Sequence, residues 1–550
     1  MNPGKRHVRA PGSTYREAVD ATDTAQQSGV VPMTARRRDL FAGLVGIVAA
    51  IATLGAAGLV ALLLALASPI FSVGALVIDL APPGVKQFAI ALFGTGDKTF
   101  LLVVLGVVVL VAAIASGILQ SRRPPLGVML LLVLALVAVI AALTRANASI
   151  LSAAPTVAGA IAGVLVLRGL TGSLEHWRDA STRRPERSRG GAGLVERRSF
   201  LQYLITGTVV SVIVGVGAQA LSGVTGVAST VLHKIKLPVA ATPAPPIPAG
   251  AELHVPGLSP YITPNASFYR IDTALVVPSV DPEKWKLTIS GMVEKKVEIS
   301  FAELLAKPLE EHRITLTCVS QEVGGNLIGN AMWLGYPIRH LLAEARPTPG
   351  ADMVLSTSTD GFTAGTPLSV LQDPATAALL AVGMNGEQLP PEHGFPVRMV
   401  VPGLYGYVSA TKWVVDLSVT TFARDQAYWT PRGYSAKGPI KLSSRIDTPK
   451  DGRRLSAGTV AIAGVAWDQH VGIAGVQVKI DDEPWVDATL ARVASVDTWL
   501  QWVYHWPATK GNHQVTVRAI NAKGKIQTSA LASPVPNGST GLHTISVGVG

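Results

Sequence analysis

The stretch "HRITLTCVSQEVGGNLIGN", residues 312–330, decides how the soluble half of this chain is read. Its first eight residues alternate like a strand. The remainder, "SQEVGGNLIGN", is a loop whose glycines allow close approach of backbone to a ligand. Cys318, the one cysteine of 550 residues, therefore falls at a strand end beside a Gly-rich loop. Domains that face an oxidising compartment usually carry paired cysteines or none, so a lone thiol has a reason to be there. The strand-end position predicts a functional thiol, more exposed than a core cysteine; the plainer alternative is a small buried core residue.

Working outward, "KWKLTISGMV" (284–293) alternates as a strand, "SFAELLAK" (300–307) opens like a capped helix, and "MWLGYPIRHLLAEA" (332–345) turns from loop into helix. Residues 384–419, "MNGEQLPPEHGFPVRMVVPGLYGYVSATKWVVDLSV", are dense in Gly, Pro and polar groups. They fit a loop-built pocket, with His393, Arg398 and Lys412 as donors to an anion; each alone could equally be a solvated or ion-paired side chain. From about Ile446, "TVAIAGVAWDQHVGIAGVQVKIDDEPWVDATL" and "QVTVRAINAKGK" read as short alternating strands of an immunoglobulin-like β-sandwich, with no obvious chemistry of its own.

The front of the chain has another character. With 48% hydrophobic and 15% charged residues the protein is too apolar to be wholly soluble. Apolar runs near 41–67, 99–119, 126–143, 150–170 and 200–221 predict an all-α bundle of five transmembrane helices, and "FAIALFG" (88–94) is too short to cross. From Ala240 onward there are 25 basic and 26 acidic residues, so the formal charge of +11 belongs to the membrane half. That excess reads as membrane topology and not as a nucleic-acid footprint. Seven basic residues precede Leu40 and seven lie between Thr171 and Ser199. The positive-inside rule then places the N-terminus in the cytoplasm and everything after Leu221 outside. None of the five runs contains a histidine, so haem ligation within the bundle is not expected. The parts read as a cytoplasmic tail 1–39, an anchor 40–222, a Pro-rich spacer 236–260, an α+β oxidoreductase domain 261–440 and the sandwich 441–545.

"TLTCVSQEV", "AMWLGYPIRHLL", "MNGEQLPPEHGFPVRMVVPGLYG", "ATKWV" and "SRIDTP", in this order before a sandwich tail, resemble the sulfite oxidase family of mononuclear molybdenum enzymes over about residues 255–545. The resemblance implies a molybdopterin cofactor with Cys318 as thiolate ligand to the metal. It implies that Arg270, in "FYRIDTALVVP", faces an anionic substrate and that Tyr434, in "YWTPRGYSAKGPIK", serves the oxo group as donor. His393, Arg398 and Lys412 match positions that hold the pterin and its phosphate, and Asp360, in "STDGF", matches a further pterin contact. It implies a small-molecule substrate and an external electron carrier, a quinone or a cytochrome, and it allows a homodimer.

Two departures bear on substrate. The oxidase branch has histidine where this chain has Asp272, and a basic pair where it reads "VSQE" with Glu322. An acid near the pocket would repel a dianion such as sulfite. No haem-binding segment is visible, so electrons pass to or from another carrier.

A cofactor inserted into folded protein in the cytoplasm implies export of a folded domain. Arg197 and Arg198, followed by Ser199-Phe200-Leu201, resemble a twin-arginine signal placed before the fifth span. The function expected is two-electron oxygen-atom transfer on a sulfite-like oxyanion or a sulfoxide, by a multi-pass plasma-membrane protein with its catalytic domain extracytoplasmic. The other readings are a cysteine hydrolase using Cys318 with His393 as base, and a non-enzymatic scaffold built on the sandwich.

Overall fold

The computed structural model describes residues 33–64, 66–82, 85, 97–145, 148–182, 197–206 and 235–550. Two compact units divide the chain, residues 1–77 with 98–225 and residues 78–97 with 226–550.

The first unit is helical. Helices α1 (Ala35–Leu63), α3 (Asp97–Arg122), α4 (Leu126–Leu143) and α5 (Ala154–Thr182) are joined by a shorter one, α2 (Pro69–Leu80). Among the described residues four helical segments are long and apolar enough to cross a membrane: 35–63, 98–122, 126–143 and 150–179. Four of the five expected spans are thus found. Only residues 197–206 of the fifth are described, as helix, and 207–221 and the run 88–94 lie outside the described residues. α2 was not anticipated, because twelve apolar residues are too few to span.

In lipid, apolar side chains gain little by leaving the solvent, so helices associate through close backbone packing. A Cβ on Gly46 of α1 would lie 1.9 Å from the Ala113 carbonyl oxygen of α3, and one on Gly117 of α3 would lie 1.9 Å from that of Ala42. Only glycine at these positions lets the two backbones touch. The Arg122 guanidinium donates to Asp39 at the end of this contact, Nε to Oδ1 at 3.1 Å. The Phe200 ring is fully buried, edge-on to Phe41 at 5.9 Å and tilted on Trp177 at 5.6 Å.

The second unit contains two mixed layers and a sandwich. Strands β1 (Lys286–Gly291) and β2 (Val297–Ser300) form a hairpin that runs into helix α6 (Phe301–Leu305). Ser300 and Glu303 form a reciprocal cap at its start, as the sequence suggested. Strands β3 (Glu310–Thr317) and β4 (Ile328–Pro337), helix α7 (Ile338–Ala345), strands β5 (Met353–Ser358) and β6 (Thr363–Pro367), helix α8 (Leu368–Gln372), strands β7 (Leu379–Met384), β8 (Glu387–Gln388), β9 (Arg398–Val400) and β10 (Val414–Thr420) follow. One sheet runs β2-β1-β10-β5-β6, and the other β3-β4-β7-β8 with β9 on β7. β7 is buried on both faces: Leu380 and Val382 join the core built on Leu287, Ile289 and Leu417, while Leu379 and Ala381 join Ile314, Leu316 and Trp333.

The sandwich is made of β11 (Ser443–Thr448), β12 (Arg454–Leu455), β13 (Gly458–Trp467), β14 (Ile473–Ile480), β15 (Val486–Asp487), β16 (Thr489–Leu490), β17 (Leu500–Ala508), β18 (Gly511–Asn521) and β19 (His543–Val549). Its sheets run β11-β13-β17-β16 and β12-β19-β18-β14-β15 around Ile462, Val476, Trp502, Val517 and Ile545. It also closes the free edge of β3. Thr315 N donates to the Asp497 carbonyl at 3.0 Å, and Trp499 N donates to Thr315 Oγ1 at 2.8 Å.

The Pro-rich stretch expected as a spacer lies against this body. Ala241 N and Thr242 N donate to the Leu309 carbonyl, Leu253 N donates to Gln501 Oε1 at 2.8 Å, and Ala251 is fully buried. Proline removes its own donor only; the residues between the prolines keep theirs and find acceptors.

Candidate active site

Cys318 follows β3 directly, as the alternation predicted, yet its side chain is only 8% exposed. The expected exposure is therefore corrected: residues remote in sequence cover the thiol. Sγ accepts from Ser320 N at 3.4 Å. Burial pushes the thiol up, opposed by that hydrogen bond and by the charge of Lys412. The thiol in turn acts on Tyr269 and on Tyr405, which burial pushes up, Tyr405 to about 12.

The loop after Cys318 is pinned from both sides. Gln321 Nε2 donates to the Gly325 carbonyl at 2.7 Å, and Arg445 of β11 donates to the same oxygen at 2.8 Å. Arg445 is itself buried against Asp447 at 2.7 Å. The sandwich, expected to carry no chemistry, thus shapes the wall of the thiol site. Glu322 is exposed on this loop, because the side chain that turns inward is its neighbour Gln321.

Arg270 and Lys412 meet at Asp272, with Arg398 and His393 on the same wall as Lys412. Asp272 Oδ2 accepts from Arg270 Nε at 3.0 Å and from Lys412 Nζ at 2.7 Å. Lys412 Nζ also donates to the Glu392 carbonyl at 2.9 Å. Arg398 lies on the face of Trp333, 5.0 Å from the ring centre, and donates Nη1 to the His393 carbonyl at 3.1 Å. Gly394 makes this clustering feasible. Its φ is +113°, and a Cβ there would lie 2.9 Å from Arg398 Cβ and 3.1 Å from Lys412 Cβ.

Crowded cations in a buried site are held below their ordinary values. Burial lowers Lys412 to about 8 despite Asp272, and burial lowers Arg398 to about 10. Burial, then the charges of Arg398 and Lys412, lowers His393 to about 4. His393 is therefore neutral near pH 7. Its Nε2–H donates to the Asn265 carbonyl, at 3.2 Å, which leaves Nδ1 as an acceptor. Among the described residues no hydrogen bond joins this imidazole to Cys318, whose Sγ accepts from Ser320, so the thiol–imidazole pair that the hydrolase reading requires is not formed.

Tyr434 is buried between Trp429, at 5.2 Å, and Tyr407, at 5.5 Å. Burial and then the neighbouring Tyr405 and Tyr434 push Tyr407 up, which makes the three tyrosines one cluster reaching back to Cys318. Asp360 is not brought into the cation cluster. It is exposed in the β5–β6 turn, where its Oδ1 accepts from Phe362 N at 3.3 Å. The sequence reading missed Tyr269, Tyr405, Gln321 and Arg445. All four lie inside quoted motifs, but nothing in those motifs distinguishes them from their neighbours.

The profile of the oxidoreductase molybdopterin binding domain matches residues 274–429, and that of the bacterial Ig domain matches 443–517. Mitochondrial sulfite oxidase of Rattus norvegicus is 28% identical over 321 residues, covering 50% of this chain and 58% of that protein. The chain thus spans little more than half the length of that curated relative. The oxidoreductase YuiH of Bacillus subtilis strain 168 is 33% identical over 174 residues, 32% of this chain and 84% of that protein. The chain belongs to the sulfite oxidase family. Among solved structures, the sulfane dehydrogenase SoxCD of Paracoccus pantotrophus matches at 23% identity over 52% of this chain and 80% of that one, with a TM-score of 0.46.

The site fits the molybdopterin of the sulfite oxidase family. Arg270, Arg398 and Lys412 set three positive charges against the single carboxylate of Asp272, an imbalance that a bound phosphate relieves. Thr317 Oγ1, one residue before Cys318, is buried without a hydrogen-bond partner among the described residues, as expected of a group that a bound molecule satisfies. The donor set supplies one soft thiolate and several cationic or N–H donors, which suits a metal carried by an anionic organic cofactor.

Proposed function

We propose that this chain is a membrane-anchored molybdenum oxidoreductase that performs two-electron oxygen-atom transfer on a sulfite-like oxyanion or a sulfoxide. The observation that carries the proposal is the buried cluster of Arg398, Lys412 and His393, whose lysine charge reaches the one buried thiol of the chain. When bound, the molybdenum supplies the two-electron redox chemistry. Cys318 supplies the thiolate, and its proton leaves as the metal binds. Lys412 and Arg398 would hold the anionic end of the cofactor, and neutral His393 would present Nδ1 to it as an acceptor. Arg270 holds the substrate oxygens with its guanidinium, and Tyr434 holds or moves a proton at its phenolic oxygen.

Protein made in a host that produces molybdopterin should carry about one molybdenum and one pterin per chain. A well-folded chain with neither would overturn the proposal.

The topology we propose puts the N-terminus in the cytoplasm and the catalytic body outside, with electrons exchanged with a quinone or a cytochrome. The distribution of basic residues supports it. Arg197→Lys together with Arg198→Lys keeps the charge and removes the guanidinium pair. The double variant should keep its anchor in the membrane and leave the catalytic body on the cytoplasmic side, read as protease resistance in spheroplasts. Normal export would reduce the pair to topology residues, with Phe200 explained by its burial beside Phe41 and Trp177.

A further inference from the structure

Asp272 entered the sequence reading as an acid that repels anions. Its position gives it a more specific part. One oxygen, Oδ2, joins Arg270 to Lys412, with the carboxylate 6% exposed, the lysine 9% and the arginine 35%. Of the other charged groups of this wall, Arg398 keeps its positive charge and directs its N–H groups to the carbonyls of His393, Met399 and Ala410. Glu392 contributes only its carbonyl, His393 is neutral, and Glu322 is exposed on the far loop.

We infer that Asp272 is a specificity-determining residue that sets the charge the substrate pocket accepts. The inference rests on the function proposed above. Asp272 does two things to Arg270. It fixes the guanidinium through Nε, which turns the Nη edge outward to the partly exposed side; no described residue bonds Nη1 or Nη2. It also cancels most of the arginine's charge at short range, leaving the fork of N–H donors with little net field. A pocket of this kind recognises oxygen atoms by hydrogen bonds and does not select for double charge. It takes neutral or singly charged oxo compounds in preference to dianions, because a second negative charge meets the buried carboxylate at low local dielectric.

The test uses three non-reacting probes of the same tetrahedral sulfur shape and different charge: sulfate, methanesulfonate and dimethyl sulfone. Their binding to the purified, metal-loaded full chain is measured by titration calorimetry, alongside molybdenum content. The native protein should bind methanesulfonate or dimethyl sulfone more tightly than sulfate. Asp272→Asn should tighten sulfate by about ten-fold and leave dimethyl sulfone unchanged. Asp272→Glu should keep the native order, and it decides the matter together with the native protein if the asparagine variant does not load metal. Tighter binding of sulfate by the native protein, or an equal change for all three probes in Asp272→Asn, overturns the inference. If molybdenum is present and the order is reversed, only the role of Asp272 fails; if molybdenum is absent, the proposed function fails first.

Discussion

Cys318→Ser is expected to lower turnover by at least about a thousand-fold, roughly 4 kcal/mol in the barrier, while the chain folds as before. Serine is nearly isosteric with cysteine, and the hydrogen bonds at the sulfur come from Ser320, whose N lies 3.4 Å away, and pass to a hydroxyl oxygen without rearrangement. Stability should therefore change by no more than about 1 kcal/mol. The loss is chemical. A metal ligand at this position must give up its proton, and burial already pushes the thiol up. A hydroxyl is far more reluctant and presents a hard oxygen to a metal that suits soft sulfur. Molybdenum per chain, turnover and thermal unfolding, measured together, check this. Full metal and full turnover in the serine variant would remove Cys318 from the metal site.

The alternation of "HRITLTCV" was enough to place Cys318 at a strand end, because period-two burial is local. Its burial was not legible, because the thiol lies beside Tyr405 and the loop that follows it is pinned by Arg445, and both of these residues are remote from Cys318 in the chain. Arg398 and Lys412 were legible as cations of one pocket, since one loop-rich stretch carries both and Gly394 folds it on itself; His393, expected as a third donor to an anion, is neutral and donates its N–H to the Asn265 carbonyl. Asp360 matched a motif, but its turn satisfies its own backbone and leaves the carboxylate in solvent. Asp272 was visible only as a misfit. Its meaning depends on Lys412, 140 residues away, and no pattern in a single sequence encodes that pairing.

Lys412→Met is expected to weaken retention of the cofactor by roughly a hundred- to a thousand-fold, the range seen when one partner of a buried, hydrogen-bonded charge pair is truncated. Methionine keeps the length and apolar stem of lysine, and the site already disfavours the charge, so the fold should tolerate the change. The lost interaction is the one between Nζ and the phosphate, and Asp272 is left with Arg270 alone. The pH dependence separates this from a packing defect. In the cofactor-free chain Lys412 titrates near 8, against an ordinary 10.5. The folded value is depressed, so between pH 8 and 10.5 the unfolded chain holds the extra proton and the stability of the cofactor-free protein rises with pH. Anion binding needs the protonated amine and runs the other way. Affinity of the cofactor-free protein for inorganic phosphate should fall by up to about ten-fold per pH unit above 8. In Lys412→Met the affinity should be low and nearly flat over the same window. Equilibrium dialysis of phosphate from pH 7 to pH 10, on protein from a host that makes no molybdopterin, provides the comparison. Parallel curves for the two proteins would mean that another cation holds the phosphate, and Arg398, titrating near 10, would take that place.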